Sequence, residues 1–447
     1  MDRVELTRRA FLAAAGVFVA AAPGIAQPNT ARVVPRKISP NEKLNLAMVG
    51  CGGRGHENLK EVLDENIVAF CDIDSKRAER AFEENPNVPR YDDWRKLFEL
   101  SDTFDAVLVS TPDHMHAPIS VNAMRLGKHV YCEKPLARTI HEARVMASTA
   151  REYGVATQMG TQGVSFDNTR KGIEMLRAGV IGTPKEIHVW TDRAGTWWPQ
   201  GVERPAEVPP IPETVHWNQW LGVAPLRPYS PLYHPFKWRG RKDFGTGAIG
   251  DMGIHNAAIA YLGLGLGMPN AVSFTSSPVC EDTFPAWSEL CFDFPAHGNN
   301  PALKLYWYDG GRKPPNSLVS GEALNGNGCV IVGSEGTLYS IDWAGDRHRL
   351  YPEEKFREYA PPAPTLPRVK SHQREWIDAC KGGQAPMANF PDFATPMTEI
   401  MLLGVLAQLV GRGLAWDSEA MRSPDCEAAN AFVKPVYREG WSVEELG

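Results

Sequence analysis

The sequence predicts an α/β protein with two domains, an N-terminal doubly wound parallel sheet and a C-terminal α+β domain with a large, mostly antiparallel sheet. Three observations support this prediction. A glycine-rich turn follows an apolar run near residue 50, and apolar runs then alternate with helical stretches as far as residue 165. Beyond that point, strands follow one another with few helices between them. The 447 residues suffice for two such domains, which we place at residues 43–165 and 166–447.

The glycine-rich turn carries a dinucleotide-binding pattern. The apolar run at residues 44–49 predicts a buried strand, and Gly50, Gly52 and Gly55 follow it in the spacing G-x-G-x-x-G of a Rossmann domain. Gly50 permits the tight turn, Gly52 lets the backbone approach a pyrophosphate, and Gly55 lets the next helix pack against the strand. The phosphates would lie at the N-terminus of that helix, where free N–H groups favour negative charge.

An acidic residue ends the next predicted strand. Residues 67–71 are apolar and run into Asp72, close to the position expected for a ribose-binding carboxylate. Such a carboxylate accepts hydrogen bonds from the adenosine ribose and repels a 2′-phosphate, so the sequence favours NAD over NADP. Lys76 and Arg77 lie close enough to leave NADP open. The alternative interpretation is a glycine-rich turn beside a solvated aspartate.

Strands and helices alternate through the rest of the first domain. The sequence predicts helices over 76–84, 93–99, 119–126 and 139–153, and strands over 105–110, 129–132 and 155–159. Thr111 and Pro112 follow the first of these strands. Proline stops the strand and directs the chain over the carboxyl edge of the sheet, where open α/β folds bind ligands.

The second domain has a different pattern. A helix is predicted over 168–177, and strands over 185–191, 289–294, 303–308 and 329–332. Residues 199–235 are rich in proline, and Trp197, Trp198, Trp217 and Trp220 lie in or beside this segment. It predicts an ordered loop that covers the pocket, because aromatic faces stack well on sugar rings. Alternatively, the tryptophans only attach a long loop to the body of the protein.

The N-terminal residues are typical of an export signal. Residues 1–26 contain Arg8 and Arg9 before an apolar run at 13–22, with small residues up to Ala26 for cleavage, and residues 27–42 read as a linker. The apolar run is too short for a stable membrane span. We expect periplasmic export by the twin-arginine route, with the dinucleotide loaded before export and retained. An apolar N-terminal helix of the fold is the alternative.

The composition excludes some partners. A formal net charge of -6 without clustered cations argues against a nucleic-acid partner. With 43% apolar residues and 13 tryptophans, the chain can build large cores and aromatic pockets. The eight cysteines show neither a C-x-x-C pair nor metal-ligand spacing, so we predict no metal site and no disulfide framework.

Four motifs in order resemble the Gfo/Idh/MocA family, named after glucose-fructose oxidoreductase and inositol dehydrogenase. They are the fingerprint at Gly50, residues 111–116 (TPDHMH), residues 133–135 (EKP) and residues 251–255 (DMGIH). The resemblance extends from about Lys43 to the C-terminus. It implies an enzyme that moves a hydride between a dinucleotide and a hydroxyl or keto group of a sugar, glycoside or polyol, and that forms homo-oligomers.

The resemblance implies that Lys134 transfers a proton, with Asp251 and His255 beside the substrate carbinol. Oxidation of an alcohol needs a base near the hydroxyl, and burial beside a cationic ring lowers the pKa of a lysine. Residues 250–262 are predicted to be helical, so Asp251 and His255 share one face. His255 is an alternative base or electrophile. Alternatively, Asp251 only stabilises the helix dipole and His255 is an interior histidine.

The expected contacts form two larger sets. Residues expected to bind the cofactor come from the glycine turn, the ribose-binding carboxylate and the nicotinamide side: Gly50, Gly52, Gly53, Arg54, Gly55, Asp72, Ser110, Thr111, His114, His116, Glu133 and Gln162. Residues with polar or aromatic groups that could contact substrate hydroxyls or carboxylates are Arg193, Trp197, His216, Trp217 and Arg239.

The sequence leaves two rival functions. Some relatives in this family use transient oxidation to acidify a neighbouring C–H bond and then eliminate a glycosidic substituent, which gives hydrolysis or lysis without net redox. A protein that keeps the fold without catalysis would be a sugar-binding protein. The glycines and Lys134 are all present, which favours an enzyme with NAD.

Overall fold

The computed structural model describes residues 33–446. The predicted export signal at residues 1–26 lies outside the described residues. The described end of the predicted linker is packed onto the first domain, since Ile38 is buried in its core and Arg36 Nε lies 2.7 Å from Asp105 Oδ1. Residues from Val34 onward form one unit.

A parallel sheet forms the first domain. Its strands are β1 (Asn45–Val49), β2 (Asn66–Cys71), β3 (Arg90–Tyr91), β4 (Ala106–Val109), β5 (His129–Glu133) and β6 (Thr157–Gly160). The helices between them are α1 (Arg54–Lys60), α2 (Ser75–Glu84), α3 (Trp94–Phe98), α4 (His116–Arg125) and α5 (Ile140–Tyr153). The spatial order β3-β2-β1-β4-β5-β6 reverses direction between β1 and β4, which is where doubly wound sheets bind ligands.

The second sheet is mixed and larger. Its strands are β7 (Pro184–Thr191), β8 (Ala271–Ser276), β9 (Ser288–Phe294), β10 (Leu303–Tyr308), β11 (Asn327–Gly333), β12 (Thr337–Ser340), β13 (His348–Tyr351) and β14 (Leu414–Ala415). Their order is β13-β12-β11-β7-β10-β9-β8-β14, and only β7 and β10 pair in parallel among these described strands. The predicted fold class is therefore confirmed. The sequence analysis missed β8 and β12 to β14, most of which are short.

Helices connect and cover this second sheet. They are α6 (Asp167–Arg177), the kinked turn α7 (Arg193–Thr196), α8 (Trp217–Leu221), α9 (Ile254–Leu264), α10 (Glu353–Phe356), α11 (His372–Cys380), α12 (Thr395–Val410) and α13 (Glu427–Asn430). Two π-helical turns, Ile249–Gly253 and Phe390–Ala394, precede α9 and α12 directly. The first of them replaces the start of the helix predicted over 250–262.

Two of these helices belong to the cores. Residues Phe390–Val410 are long and apolar enough to span a membrane, with a mean hydropathy of 1.5, but 83% of this stretch is buried inside the protein. It is a core helix. Trp376 and Ile377 of α11 pack into the same apolar cluster as Leu46 and Phe70 of the parallel sheet. A helix from the C-terminal part of the sequence therefore packs into the core of the N-terminal domain.

The conformation of the glycine turn requires glycine at two positions. Gly50 has φ of 85°, a left-handed conformation that residues with a side chain rarely adopt. A β-carbon on Gly55 would overlap the carbonyl oxygen of Gly50. The start of α1 therefore approaches the end of β1 as closely as the backbone allows, as the sequence analysis predicted for this glycine.

We expect Gly55→Ala to destabilise the protein by about 3 kcal/mol, because the clash is with backbone and must move α1. Urea unfolding measures this change. Gly172→Ala in α6 is the matched control, since its β-carbon would meet side chains and no backbone: the flexible end of Ile259 and, at 3.3 Å, the ring of His348. The control should lie within about 1 kcal/mol of wild type. Equal stability of the two variants would contradict the proposed close approach.

Candidate active site

A cavity of about 490 Å³ lies at the carboxyl edge of the parallel sheet. Its wall combines the glycine turn and the ends of β2, β4 and β5 with residues of the second domain. The predicted site residues on this wall are Gly50, Gly52, Gly53, Arg54, Asp72, Ser110, Thr111, Glu133, Lys134, Arg193, Trp197, Arg239, Asp251 and His255. Residues far apart in sequence therefore meet in one place.

The glycine turn presents an anion site to this cavity. Gly50, Gly52 and Gly53 line it, and α1 begins at Arg54 with no side chain capping its first N–H groups. Free N–H groups at a helix N-terminus favour a phosphate. The small glycines and the uncapped helix fit the diphosphate of a dinucleotide.

Asp72 ties the end of β2 to the glycine turn. Its Oδ2 accepts hydrogen bonds from the backbone N–H of Cys51 at 2.7 Å and of Gly52 at 3.2 Å. Burial raises the pKa of Asp72, although these N–H donors oppose the shift. Arg77 also lines the cavity, beside Gly53, whereas Lys76 does not. Asp72 therefore shapes the turn as well as standing at the predicted ribose position.

Glu133 is held by a buried network that the sequence analysis missed. Its Oε1 accepts hydrogen bonds from Asn58 Nδ2 at 2.8 Å and from Gln162 Nε2 at 3.0 Å. Gln162 also donates to the Tyr131 hydroxyl at 3.0 Å. Gln162 therefore stands behind Glu133 and does not line the cavity, contrary to its predicted place beside the nicotinamide. No local pattern in the sequence pairs Asn58 with Glu133.

Lys134 and Asp251 form the central ion pair of the cavity. Lys134 follows β5, and its Nζ lies 2.5 Å from Oδ1 of Asp251, which belongs to the π-helical turn before α9. Arg239 Nε lies 3.3 Å from the same oxygen, and Arg193 Nη1 lies 3.5 Å from Oδ2. One carboxylate therefore faces three cations.

This arrangement shifts the pKa of all the central groups. Burial and the positive charges of Arg239 and Arg193 lower the pKa of Lys134, although Asp251 opposes them. Burial disfavours ionised Asp251, but Lys134 and both arginines outweigh it and hold the pKa of Asp251 below its ordinary value. Lys134 can therefore lose its proton more easily than a free lysine, while Asp251 stays charged.

His255 is buried on the cavity wall as a neutral imidazole. Burial, helped by the charge of Lys134, lowers its pKa well below the ordinary value. Its ring packs edge-on against Trp343, with the ring centres 5.0 Å apart. Within residues 33–446, His255 Nδ1, Asp251 Oδ2 and Thr111 Oγ1 are buried without a hydrogen-bond partner. Asp251 Oδ2 still faces Arg193 in the ion pair, whereas the other two atoms are left with unused hydrogen-bonding capacity beside the cavity.

Asp113 is a wall residue that the sequence analysis missed. It is buried, and its Oδ2 accepts a hydrogen bond from Thr246 Oγ1 at 2.8 Å. Burial raises the pKa of Asp113 to about 7, against the lowering effect of Thr246. Its place at the carboxyl end of β4 was a usable signal, but the partner lies 133 residues further along the chain.

Five predicted contacts need correction, because these residues are not on the wall. His114 faces the carbonyl oxygens of Trp220 and Phe244, and His116 faces those of Pro135 and Thr111, so each neutral ring can donate to one of its two carbonyl oxygens inside the protein. His216 pairs with Asp92, with 3.1 Å between Nδ1 and Oδ2. The other two residues are Gln162, described above, and Trp217, which stacks on Trp220. Gly55 is also off the wall, in its predicted packing role.

The tryptophan-rich segment has both of the anticipated roles. Trp217 and Trp220 stack with ring centres 4.5 Å apart and anchor the loop in an aromatic cluster. Trp220, Phe236 and Trp238 also line the cavity. The loop is thus attached to the body and supplies one aromatic side of the site.

The part of the chain that the structure describes has no group of three or more His, Cys, Asp or Glu side chains arranged to hold a metal ion. All eight cysteines are free thiols. Several are buried, and burial raises the pKa of Cys51, Cys71 and Cys132 well above the ordinary value. The titratable groups that line the cavity are therefore carboxylates, cations and imidazoles, with Cys71 as a protonated thiol.

Two family models match almost all of the described chain. A model described as an oxidoreductase family with an NAD-binding Rossmann fold matches residues 44–161, and the companion C-terminal alpha/beta domain matches residues 164–443. The first domain is therefore an NAD-binding domain, in agreement with the predicted cofactor.

Curated relatives match part of the chain. Inositol 2-dehydrogenase of Rubrobacter xylanophilus is 31% identical over 156 residues, which are 34% of this chain and 44% of that protein. Glycosyl hydrolase family 109 protein 1 of Shewanella sp. (strain MR-4) is 30% identical over an alignment of 209 residues, and the match covers 40% of this chain and 44% of that protein. The match thus covers less than half of the length of either relative.

A solved structure has the same fold. The WlbA dehydrogenase from Bordetella pertussis, solved in complex with NADH and UDP-GlcNAcA, superposes with a TM-score of 0.60 over 84% of this chain and 99% of that chain. The sequence identity is 15%. The likeness therefore supports the two-domain architecture.

Asp113→Asn should become more stabilising as pH rises. An unfolded aspartate titrates near about 3.9, whereas Asp113 titrates at about 7 in the folded protein. The free energy of unfolding of wild type therefore falls, by up to about 4 kcal/mol, as pH rises between these two pKa values. Asparagine has no proton to lose in this range and still offers an oxygen that accepts the hydrogen bond of Thr246. Urea unfolding at pH 5 and pH 8 measures the difference. The exposed Asp102→Asn variant is the control, and a pH-independent effect at Asp113 would contradict the assignment.

Proposed function

Because the chain belongs to the Gfo/Idh/MocA oxidoreductase family, whose models match residues 44–161 and 164–443, we propose that it oxidises or reduces a hydroxyl or keto group of a sugar, glycoside or polyol. The dinucleotide is NAD, and tight binding is expected. One observation carries the proposal: Lys134 is the only described lysine that lines the cavity, and it shares that cavity with the glycine turn.

The relatives support a small polyhydroxylated substrate. One relative is an inositol 2-dehydrogenase by name, and the solved WlbA dehydrogenase holds a sugar nucleotide. The aromatic side chains of Trp220, Phe236 and Trp238 on the wall suit the apolar faces of a sugar ring. The unpartnered atoms of Thr111, Asp251 and His255 suit its hydroxyl groups.

Lys134 is proposed as the acid and base. Bound NAD supplies the hydride acceptor for an alcohol, or the hydride donor for a ketone in the form NADH. Oxidation also requires the hydroxyl proton to leave, and Lys134 Nζ takes this proton in its neutral form. Asp251, 2.5 Å from Nζ, then stabilises the ammonium that results. In the reverse direction the ammonium returns the proton to the carbonyl oxygen.

His255 is proposed to orient the reacting oxygen. Its imidazole is neutral because its pKa is well below the ordinary value, and its buried Nδ1 has no partner within residues 33–446. A neutral imidazole can donate or accept one hydrogen bond at this atom, depending on the tautomer. It is therefore suited to hold a hydroxyl or carbonyl oxygen next to Lys134 rather than to keep the proton.

Lys134→Met should lower turnover by at least about 100-fold, because methionine fills the space without accepting a proton. The dinucleotide should stay bound, since the glycine turn is unchanged. Absorbance at about 340 nm follows NADH, the reduced form of the hydride carrier, and heat-released nucleotide measures occupancy. Lys60→Met, on the exposed side of α1, is the control. Full activity of the Lys134 variant would refute the assigned role. Inactivity of the wild-type protein as well as of the variant would instead favour a binding protein.

Transient oxidation followed by elimination is a second candidate. The match to a family 109 glycosyl hydrolase favours it. In that reaction Lys134 would first accept the hydroxyl proton while the carbinol hydride passed to bound NAD. The C–H proton beside the new carbonyl would then leave to a base, the glycosidic substituent would depart with a proton, and water would add across the double bond that results. The same hydride then returns to the sugar carbon, so no NADH accumulates.

Aryl glycosides separate the two candidates. For the preferred function we expect 4-nitrophenyl glycosides to reduce bound NAD without release of nitrophenol. Nitrophenol release without accumulated NADH would instead establish the elimination route. Both signals are read from one absorbance scan, and Lys134→Met should abolish whichever is present, because both routes begin with the same proton transfer.

A further inference from the structure

Two arginines mark the substrate end of the cavity. Arg193 and Arg239 line it, and each reaches a different oxygen of Asp251, at 3.5 Å and 3.3 Å. Asp251 in turn holds Lys134. The two guanidinium groups therefore lie beside the proposed base, where the reacting carbon is proposed to bind.

Aromatic rings hold both guanidinium groups in place. Arg193 lies over the ring of Trp197 at 4.0 Å, and Arg239 lies over Trp238 at 4.3 Å and Phe236 at 4.4 Å. Stacking fixes the plane of a guanidinium and leaves the N–H groups at its edge free to bind. The arginines are thus fixed in advance of any ligand.

Their hydrogen-bond donors are not used up by the protein. Arg193 Nε is buried without a partner within residues 33–446. Arg239 uses Nε for Asp251 and Nη1 for the carbonyl oxygen of Phe236, and no described atom accepts from its Nη2. Unpaired donors on a buried cation are costly, so a ligand that accepts them gains affinity.

The charges do not balance either. When Lys134 is neutral and ready to accept a proton, the positive charges of Arg193 and Arg239 face the single negative charge of Asp251. Asp113, with a pKa raised to about 7, compensates only in part at neutral pH. Part of one positive charge is left over at neutral pH, and a single carboxylate would neutralise it. A planar carboxylate also matches the fork of a guanidinium.

We infer that the substrate is an acidic sugar, a uronate or aldonate, whose carboxylate binds between Arg193 and Arg239 while its reacting carbinol faces Lys134. This inference rests on the proposed function for the identity of the reaction. The negative charge that we assign to the substrate rests on the two arginines alone.

The experiment compares matched pairs of acids and neutral sugars on the protein loaded with NADH. The pairs are glucuronate with glucose, galacturonate with galactose, mannuronate with mannose, and gluconate with sorbitol. Calorimetry measures affinity without turnover, and NADH formation in the NAD-loaded protein measures turnover. We expect at least one acid to bind at least about 10-fold more tightly than its neutral partner, as for a charge-assisted pair.

Variants connect this preference to the arginines. Arg193→Met and Arg239→Met should each reduce the preference about 10-fold, and Arg239→Lys should keep part of it, because the charge remains without the fork. Arg312→Met is the matched control, since Arg312 also stacks on a tryptophan, Trp287 at 4.2 Å, but lies away from the cavity. Retained NADH in every variant shows that the nucleotide domain is intact.

The outcomes separate this inference from the proposed function. The inference fails if no acid binds more tightly than its neutral partner, if the preference survives both methionine variants, or if glucose 6-phosphate binds in preference to every acid. Turnover of neutral sugars would then leave the oxidoreductase proposal standing. Preferred binding of an acid without hydride transfer to NAD from any pair would support the carboxylate subsite and refute the proposed function.

Discussion

The contact between Lys134 and Asp251 is the constraint on which the site depends. The two residues are 117 positions apart, and they meet only because β5 ends where the π-helical turn before α9 passes over the carboxyl edge of the parallel sheet. α9 lies on the second sheet, where Asn256 donates to the carbonyl oxygen of Trp190 in β7. The ion pair therefore links the second domain to the first. A displacement of either sheet would separate the proposed base from its carboxylate.

Behind the wall, a second layer of polar contacts fixes the residues that face the cavity. Glu133 is oriented by Asn58 and Gln162, and Asn58 also donates to Ser110 Oγ at 3.1 Å. His116 donates to the carbonyl oxygen of either Thr111 or Pro135. These bonds connect the loops after β4 and β5, so the two strand ends cannot move independently. Buried networks of this kind rigidify a site, because breaking one member leaves the others unpaired in a medium of low dielectric constant. The fixed position of Lys134 follows from this layer as much as from Asp251.

Local chemistry made half of this site predictable from the sequence. The glycine spacing, the acid that ends β2 and the lysine that follows β5 are defined by neighbours in sequence, and all of them reach the cavity. The sequence could not tell which way His114 and His116 point, because the carbonyl oxygens of Trp220 and Phe244 that hold His114 are over 100 residues away. Asp113 was missed for the same reason, since its environment is set by Thr246 and by burial. In the fold, strands with a long apolar run were predicted, while short edge strands such as β3 and β14 depend on their partners.

The two arginines give Asp251 a second role besides pairing with the lysine. A carboxylate alone beside Lys134 would stabilise the ammonium and make the lysine a poor base at neutral pH. Burial lowers the pKa of Lys134 most, and Arg239 and Arg193, which share that carboxylate, add to this effect by repelling the ammonium, so the pKa stays below its ordinary value. An anionic group bound to the arginines would weaken this repulsion and raise the pKa of Lys134 at the moment when it must accept a proton. Recognition of substrate charge and activation of the base would then be the same electrostatic event, in which the arginines help to lower the pKa of the lysine until the bound substrate raises it again.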